Sequence, residues 1–241
     1  MILSPEEKAA NRAAFRAMGV GAKAEYIFAY YKLPLVLALV ACVALGSVAH
    51  RLLTHKDPVL YVAFANVVPA DSSDEALTSG FVEHLGKSPR RSEVVCYREL
   101  YLSGEATQQD HQYAYASRLK LMAAVDAEQL DVVLMNREAY DLLSGSGYLL
   151  GLDGLQGLPK PAASRLVTNT VVLSDNGVEV ELGEADEYVA ETEEARNALE
   201  VTGLPLFADF PEDETFYLGV IANTPRLEAS VAYLAYVLGH E

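Results

Sequence analysis

One stretch of the chain has no polar period at all. Leu33-Pro-Leu-Val-Leu-Ala-Leu-Val-Ala-Cys-Val-Ala-Leu-Gly-Ser-Val-Ala49 is seventeen consecutive uncharged residues, and wound as a helix it is apolar on every side rather than along one stripe. At ~1.5 Å per residue it covers about 25 Å, the short end of a bilayer core. Tyr30, Tyr31, Leu52 and Leu53 extend it, and Lys32 and Arg51 stand where long cationic side chains snorkel to headgroups. The cluster Tyr26, Ile27, Phe28, Tyr30, Tyr31 suits an interfacial aromatic belt. The expectation is a transmembrane helix over 33–53, with Pro34 in its first turn, where a missing N–H costs nothing. Residues 1–32 are read as a cytoplasmic or interfacial helical head. Ser4-Pro5-Glu6-Glu7 supplies an N-cap, a first-turn proline and a capping-box glutamate. Gly19 and Gly21 interrupt that head, and 22–32 form its second piece.

From Asp57 the pattern changes. Pro58-Val-Leu-Tyr-Val-Ala-Phe-Ala65 is a continuous apolar run, which reads as a strand buried on both faces. Ser72 or Ser73 caps a helix over 74–85, stopped by Gly86. A strand follows over 92–102, then a helix over 108–127 with Tyr113, Leu119, Leu121 and Met122 at roughly helical spacing. Leu130-Asp-Val-Val-Leu-Met135 is a third buried strand and 136–143 a short helix. Tyr148–Asp153 is a short extended piece. Strand, helix, strand, helix, strand predicts a parallel sheet, with ligands outside the carboxyl ends of its strands. Arg165–Leu182 places two β-rich runs around Asp175-Asn-Gly177, a hairpin pattern. The acid-rich run 184–200 spaces Tyr188, Ala195 and Leu199 as a solvated helix would. Thr215–Ala222 is a last strand, and Asn223-Thr-Pro leads into a closing helix over 226–238, with Thr224 its cap.

Charge divides the chain in the same places. Lys and Arg total 18 against 34 Asp and Glu, a net charge of −16. Residues 1–32 hold five bases and three acids, 33–49 none of either, and 50–241 thirteen bases and thirty-one acids. A weakly basic head, a neutral stretch and an acidic body are the pattern of a single-span membrane protein. Lys23 and Lys32 before the span, and the acidity after it, place the N-terminus in the cytoplasm and residues 57–241 outside. So acidic a body is a poor non-specific nucleic-acid binder. At 51% hydrophobic residues the chain is not disordered.

Candidate chemistry is sparse. The two cysteines, Cys42 and Cys96, exclude a disulfide scaffold and a cysteine-rich zinc site. Leu39-Val-Ala-Cys42 also resembles a bacterial lipobox, which would make Cys42 a lipidated N-terminus, although apolar residues continue past it. Ala44-Leu-Gly46 also fits a cleavage site. The histidines at 50, 55, 84, 111 and 240 have no metal-ligand spacing, so neither a metal nor a cofactor is expected. No Gly-x-Ser-x-Gly, Walker loop, dinucleotide fingerprint or CxxC occurs. Cys96, in a strand interior, reads as an inert core thiol.

Two segments carry a resemblance. Leu130-Asp-Val-Val-Leu-Met-Asn-Arg-Glu-Ala-Tyr-Asp-Leu-Leu-Ser-Gly-Ser-Gly-Tyr-Leu-Leu-Gly-Leu-Asp153 and Phe216-Tyr-Leu-Gly-Val-Ile-Ala-Asn-Thr-Pro-Arg-Leu-Glu-Ala-Ser-Val-Ala-Tyr-Leu-Ala-Tyr-Val-Leu238 resemble elements of the type 2 periplasmic (ABC-transporter) solute-binding proteins. The head and span, with Glu25-Tyr-Ile-Phe-Ala-Tyr-Tyr-Lys32, look like uncharacterised single-span proteins of Gram-positive bacteria. The resemblance implies an α/β parallel-sheet domain over 57–241 in which 154–215 form a reduced second lobe. It implies ligand contacts at strand ends, at Asn66, Asn136 and Asn223; as residue types, these also serve as turn and helix-cap residues. The function expected is non-catalytic recognition of a small solute or of an envelope partner. The alternative is a structural or regulatory membrane protein that uses the fold as an interaction surface.

Overall fold

A computed structural model describes residues 12, 14, 16–103, 111–160, 162–176, 181, 187–211 and 213–239. The chain divides into two compact units, Met1–His55 and Lys56–Glu241.

In the first unit a 35-residue helix, α1, runs Val20–Thr54. The expected separate helix over 22–32 is therefore continuous with 33–53, and Gly21 does not break it. Gly19 lies outside it. Pro34 is inside the helix rather than in its first turn, so its ring removes one i→i−4 hydrogen bond. Among the described residues no helix is long and apolar enough to cross a membrane. Within α1 the side chains at 24, 26–33, 35 and 49–54 lie outside the described set. Those of 36–48 are all exposed, Val36, Leu37, Leu39, Val40, Val43, Leu45 and Val48 included. The capping box at 4–7 lies outside the described residues.

The second unit is a six-stranded mixed sheet in the order β2-β1-β3-β6-β5-β4. Strands β1 (Asp57–Ala65), β2 (Ser92–Leu100) and β3 (Val132–Asn136) are parallel. Strands β6 (Phe216–Val220), β5 (Ala190–Glu200) and β4 (Leu166–Asp175) continue it antiparallel. The sheet is covered on both faces. Val62, Phe64, Leu134 and Leu218 pack with Leu77, Phe81, Tyr233 and Val237 in one layer. Ala63, Val133, Met135 and Tyr217 pack with Leu121, Tyr140 and Leu143 in the other. Double cover explains why β1 and β3 read as unbroken apolar runs.

The first layer comes from α2 (Asp71–Glu75), a π turn over Ala76–Gly80, α3 (Phe81–His84) and the closing helix α7 (Leu227–Leu238). The π turn misaligns backbone carbonyls, and α7 compensates: Tyr236 Oη donates to the Ala76 carbonyl at 2.8 Å and Tyr233 Oη to that of Leu77 at 3.1 Å. Helix α2 starts at Asp71 after Ala70, with no side-chain cap. Neither Ser72 nor Ser73 caps it: Ser73 is buried and Ser72 donates to Asp209. The second layer comes from α4 (His111–Asp126) and α5 (Arg137–Gly145). The buried face of α4 is Ala114, Ser117, Leu121, Ala124 and Val125. Of the residues noted at helical spacing, Leu121 is buried, and Tyr113, Leu119 and Met122 are exposed.

The described residues of 154–215 belong to the same compact unit as the rest of Lys56–Glu241. After a short α6 (Ala162–Arg165), they add β4 and β5 to the one sheet. The expected acidic helix over 184–200 is strand β5 from Ala190 onward. Its last residues Asn197, Ala198 and Leu199 are buried between the helix layers, while Glu191–Glu194 lie exposed. The strand at 166–175 is present, and it pairs antiparallel with 190–200. The hairpin closes where Asn176 Oδ1 accepts from the Val189 N–H at 2.7 Å. Residues 177–180 and 182–186 lie outside the described set. Thr224 is not the cap of α7, whose first flanking residue is Arg226. Its hydroxyl accepts from the Arg226 N–H at 3.1 Å and donates to Asp131 at 2.5 Å.

Candidate functional site

Strands β1 and β3 are neighbours that run the same way, so their carboxyl ends open on one edge. There Asn66 follows β1 and Asn136 ends β3. Asn66 takes a left-handed backbone, φ 57°, which asparagine tolerates better than most residues. Its Nδ2 donates to the Leu102 carbonyl at 2.6 Å and to Asn136 Oδ1 at 3.1 Å. Its Oδ1 accepts from the Leu102 N–H at 2.7 Å. Asn136 Oδ1 also accepts from the Ala139 N–H at 3.1 Å and so caps α5. The two amides thus tie three strand ends together.

Asn223 is elsewhere. Because β6 runs antiparallel to β3, with Val220 opposite Val132, its carboxyl end lies at the other edge of the sheet. Asn223 Nδ2 donates to the Val125 carbonyl at 2.9 Å. The sequence pattern alone cannot separate Asn136 from Asn223, since both follow an apolar strand; strand direction separates them.

Beside Asn66 and Asn136 is a cleft of about 430 Å³, lined also by Val67, Val68, Glu99, Leu100, Tyr101, Tyr113 and Glu138. Glu99 reaches it through a β-bulge. Ala63 pairs with Tyr97 and Ala65 with Leu100, so two residues of β2 oppose one of β1, and Glu99 adopts φ 59°. Bulges re-aim side chains next to sites. The Glu99 carbonyl accepts from Tyr113 Oη at 2.6 Å, and the rings of Tyr101 and Tyr113 stack with centroids 6.2 Å apart. Glu138 Oε1 accepts from Ser103 Oγ at 2.6 Å. The bulge glutamate and the tyrosine pair are not legible in the sequence: a bulge leaves no local pattern, and Tyr113 stands at helical spacing with Leu119, Leu121 and Met122 without a mark of its own.

The opposite edge of the sheet carries an ion-pair node. Buried Asp131 accepts from the Tyr61 N–H at 2.8 Å, from Thr224 and from Arg226 Nε at 2.8 Å. Arg226 also donates to the Glu128 carbonyl and lies over the Tyr61 ring at 4.5 Å. Every oxygen there is occupied by the fold. Cys96 is held inert: burial pushes its thiol up to about 11, which removes the thiolate that nucleophilic chemistry needs. Cys42 is exposed in the middle of α1. Among the described residues no group of three or more His, Cys, Asp or Glu is placed to hold a metal ion.

No family model, no curated protein and no solved structure matches this chain.

Proposed function

We propose that this chain is a membrane-anchored binding protein that recognises a small solute in the cleft at the carboxyl ends of β1–β3 and performs no catalysis. One observation carries the reading: a cleft of about 430 Å³ lies where ligands settle in open α/β sheets, its back wall tied by two asparagine side chains and its side made of two tyrosines. The segments that resemble type 2 solute-binding proteins supply β3, α5, β6 and α7, which supports the same reading. The uncharged run 33–49 lies within a 35-residue helix whose described apolar side chains are exposed on all sides. Hydrocarbon is the solvent that suits such a surface. The N-terminus is then cytoplasmic and the unit from Lys56 onward faces outward.

A second reading, recognition of an envelope protein, is favoured by one feature. Both halves of Lys56–Glu241 share one sheet, so among the described residues no second lobe stands ready to close over the cleft. A protein partner would supply that cover.

Full-length protein in detergent, screened by thermal shift against amino acids, peptides, sugars and ions, tests the first reading. A ligand at a hundred times its Kd adds ~2.7 kcal/mol. Silence across the panel, with crosslinks from the cleft rim to another envelope protein, moves the assignment to the second reading. Topology has its own test. Val68 is 87% exposed, so a Val68→Cys variant should react with a membrane-impermeant maleimide on intact cells. Reaction only after lysis overturns the outward orientation.

A further inference from the structure

The charge of the cleft narrows its ligand. Among the described residues, the charged groups that line it are Glu99 and Glu138, and no Lys, Arg or His does. An anion would look to the N-terminus of α5. That position is taken, since Asn136 Oδ1 accepts from the Ala139 N–H at 3.1 Å and Glu138 stands in the first turn, where a carboxylate answers the helix dipole.

The aromatic side points the same way. Tyr101 and Tyr113 form a stacked pair, 25° from coplanar. Tyr113 is fixed by its hydroxyl bond to the Glu99 carbonyl, at 2.6 Å. Ring faces carry the negative lobe of the aromatic quadrupole and attract cations. Exposed Val68 adds an apolar wall beside them. The surrounding chain is acidic, with 31 acids against 13 bases over residues 50–241, and its field concentrates cations at the surface.

We infer that the cleft takes an organic cation, an alkylammonium whose charged head meets Glu99 and Glu138 and whose carbon body lies against the tyrosine pair and Val68. This rests on the reading of the cleft as a binding site and adds the sign of the ligand to it.

The chain has no tryptophan, so a Val68→Trp variant places a single indole at the rim. Full-length Val68→Trp protein in detergent is titrated with choline, with its uncharged isostere 3,3-dimethylbutan-1-ol, and with acetate. The expected result is a saturable shift in indole emission with choline, at least tenfold weaker with the isostere and absent with acetate. In a Glu99→Gln/Glu138→Gln background the choline affinity falls at least tenfold while the melting temperature holds; if the double variant melts early, Glu99→Gln alone should lower affinity severalfold. Equal responses to choline and isostere, a response to acetate, or a response to some uncharged solute with none to choline overturns the cation assignment and leaves the cleft as a binding site. No response to these three or to any of the wider panel overturns the binding reading together with it.

Discussion

The parallel and antiparallel halves of the sheet both bury their central strands and expose their outer ones, but their strand ends differ. At the centre, β3, β6 and most of β1 are buried, because helices cover both faces, while the parallel edge strand β2 is largely half-exposed. In β4 and the first half of β5 most residues are exposed or half-exposed, and only the far end of β5 enters the core. The consequence for function follows from direction. Parallel strands end together, so their ends gather Asn66, Glu99 and Asn136 around one cleft. Antiparallel strands alternate, and their ends scatter: Asn223 leaves β6 at the far edge, where it donates to the Val125 carbonyl near the end of α4. The antiparallel half gives width and backing; the parallel half makes the site.

The largest break in that comparison is Asp131→Ala. Asp131 joins β1, β3 and the chain entering α7 through bonds from Tyr61, Thr224 and Arg226. Its removal strands a guanidinium that is only 28% exposed. Breaking a buried pair from one side costs about 3–5 kcal/mol, and partial access of water to Arg226 puts this one near 3. A domain of this size loses ~2–4 °C per kcal/mol, so melting should fall by about 6–12 °C by calorimetry. Asp131→Asn, which keeps an acceptor, should fall by clearly less. An Asp131→Ala protein that melts as wild type would show that the junction contributes nothing to holding the parallel half.

Legibility follows burial. Strands β1 and β3 are readable because double burial turns them into uninterrupted apolar runs, and the alternation of strands and helices then implies their direction. Strand β5 carries no clear strand pattern because it changes environment along its length. Glu191, Glu193 and Glu194 face water and Asn197 to Leu199 face the core, so neither a clean period of two nor an apolar run appears, and the acids resemble a solvated helix. Two of the three asparagines expected at the site do meet, and strand direction, which local sequence does not contain, removes the third. The bulge that aims Glu99 has no local mark either, because a left-handed glutamate is stabilised by Tyr113 fourteen residues on.

An intermediate effect should come from Tyr140→Phe, on the antiparallel side. Tyr140 Oη donates to one of two acceptors, Asn197 Oδ1 at 2.8 Å or the Val167 carbonyl at 3.1 Å, and its ring stacks on Tyr217 at 4.7 Å. The phenylalanine keeps the stack and leaves a buried amide short of a partner, about 1–2 kcal/mol in urea unfolding at neutral pH. The difference should shrink in alkali. Burial pushes the Tyr140 phenol up to about 12 from its ordinary 10. The unfolded chain therefore ionises first, and wild type has its full stability below pH 10 and loses it as pH climbs toward 12. The variant lacks that proton and should show a shallower decline above pH 10. Parallel curves would mean that Tyr140 titrates as an exposed phenol.

The smallest change distinguishes a strand from a helix over β5. Glu194 lies opposite Thr170 across the β4–β5 pair, next in sequence to Glu193. In a strand, Glu194→Thr replaces a poor strand former with a β-branched one and sets two threonines face to face, a pairing worth ~0.2–1 kcal/mol. It also removes one charge from a like-charged neighbourhood. In the solvated helix that the acid spacing implies, the same substitution would exchange a good helix former for a poor one and lose ~0.5 kcal/mol. The two structures thus give opposite signs. A gain of about 0.3–0.5 kcal/mol in the urea midpoint of the full-length protein fits the strand, and a loss of that size restores the helix. Because Glu194 is exposed and far in sequence from both Asn66 and Asn136, the sign reports on backbone conformation without disturbing the cleft.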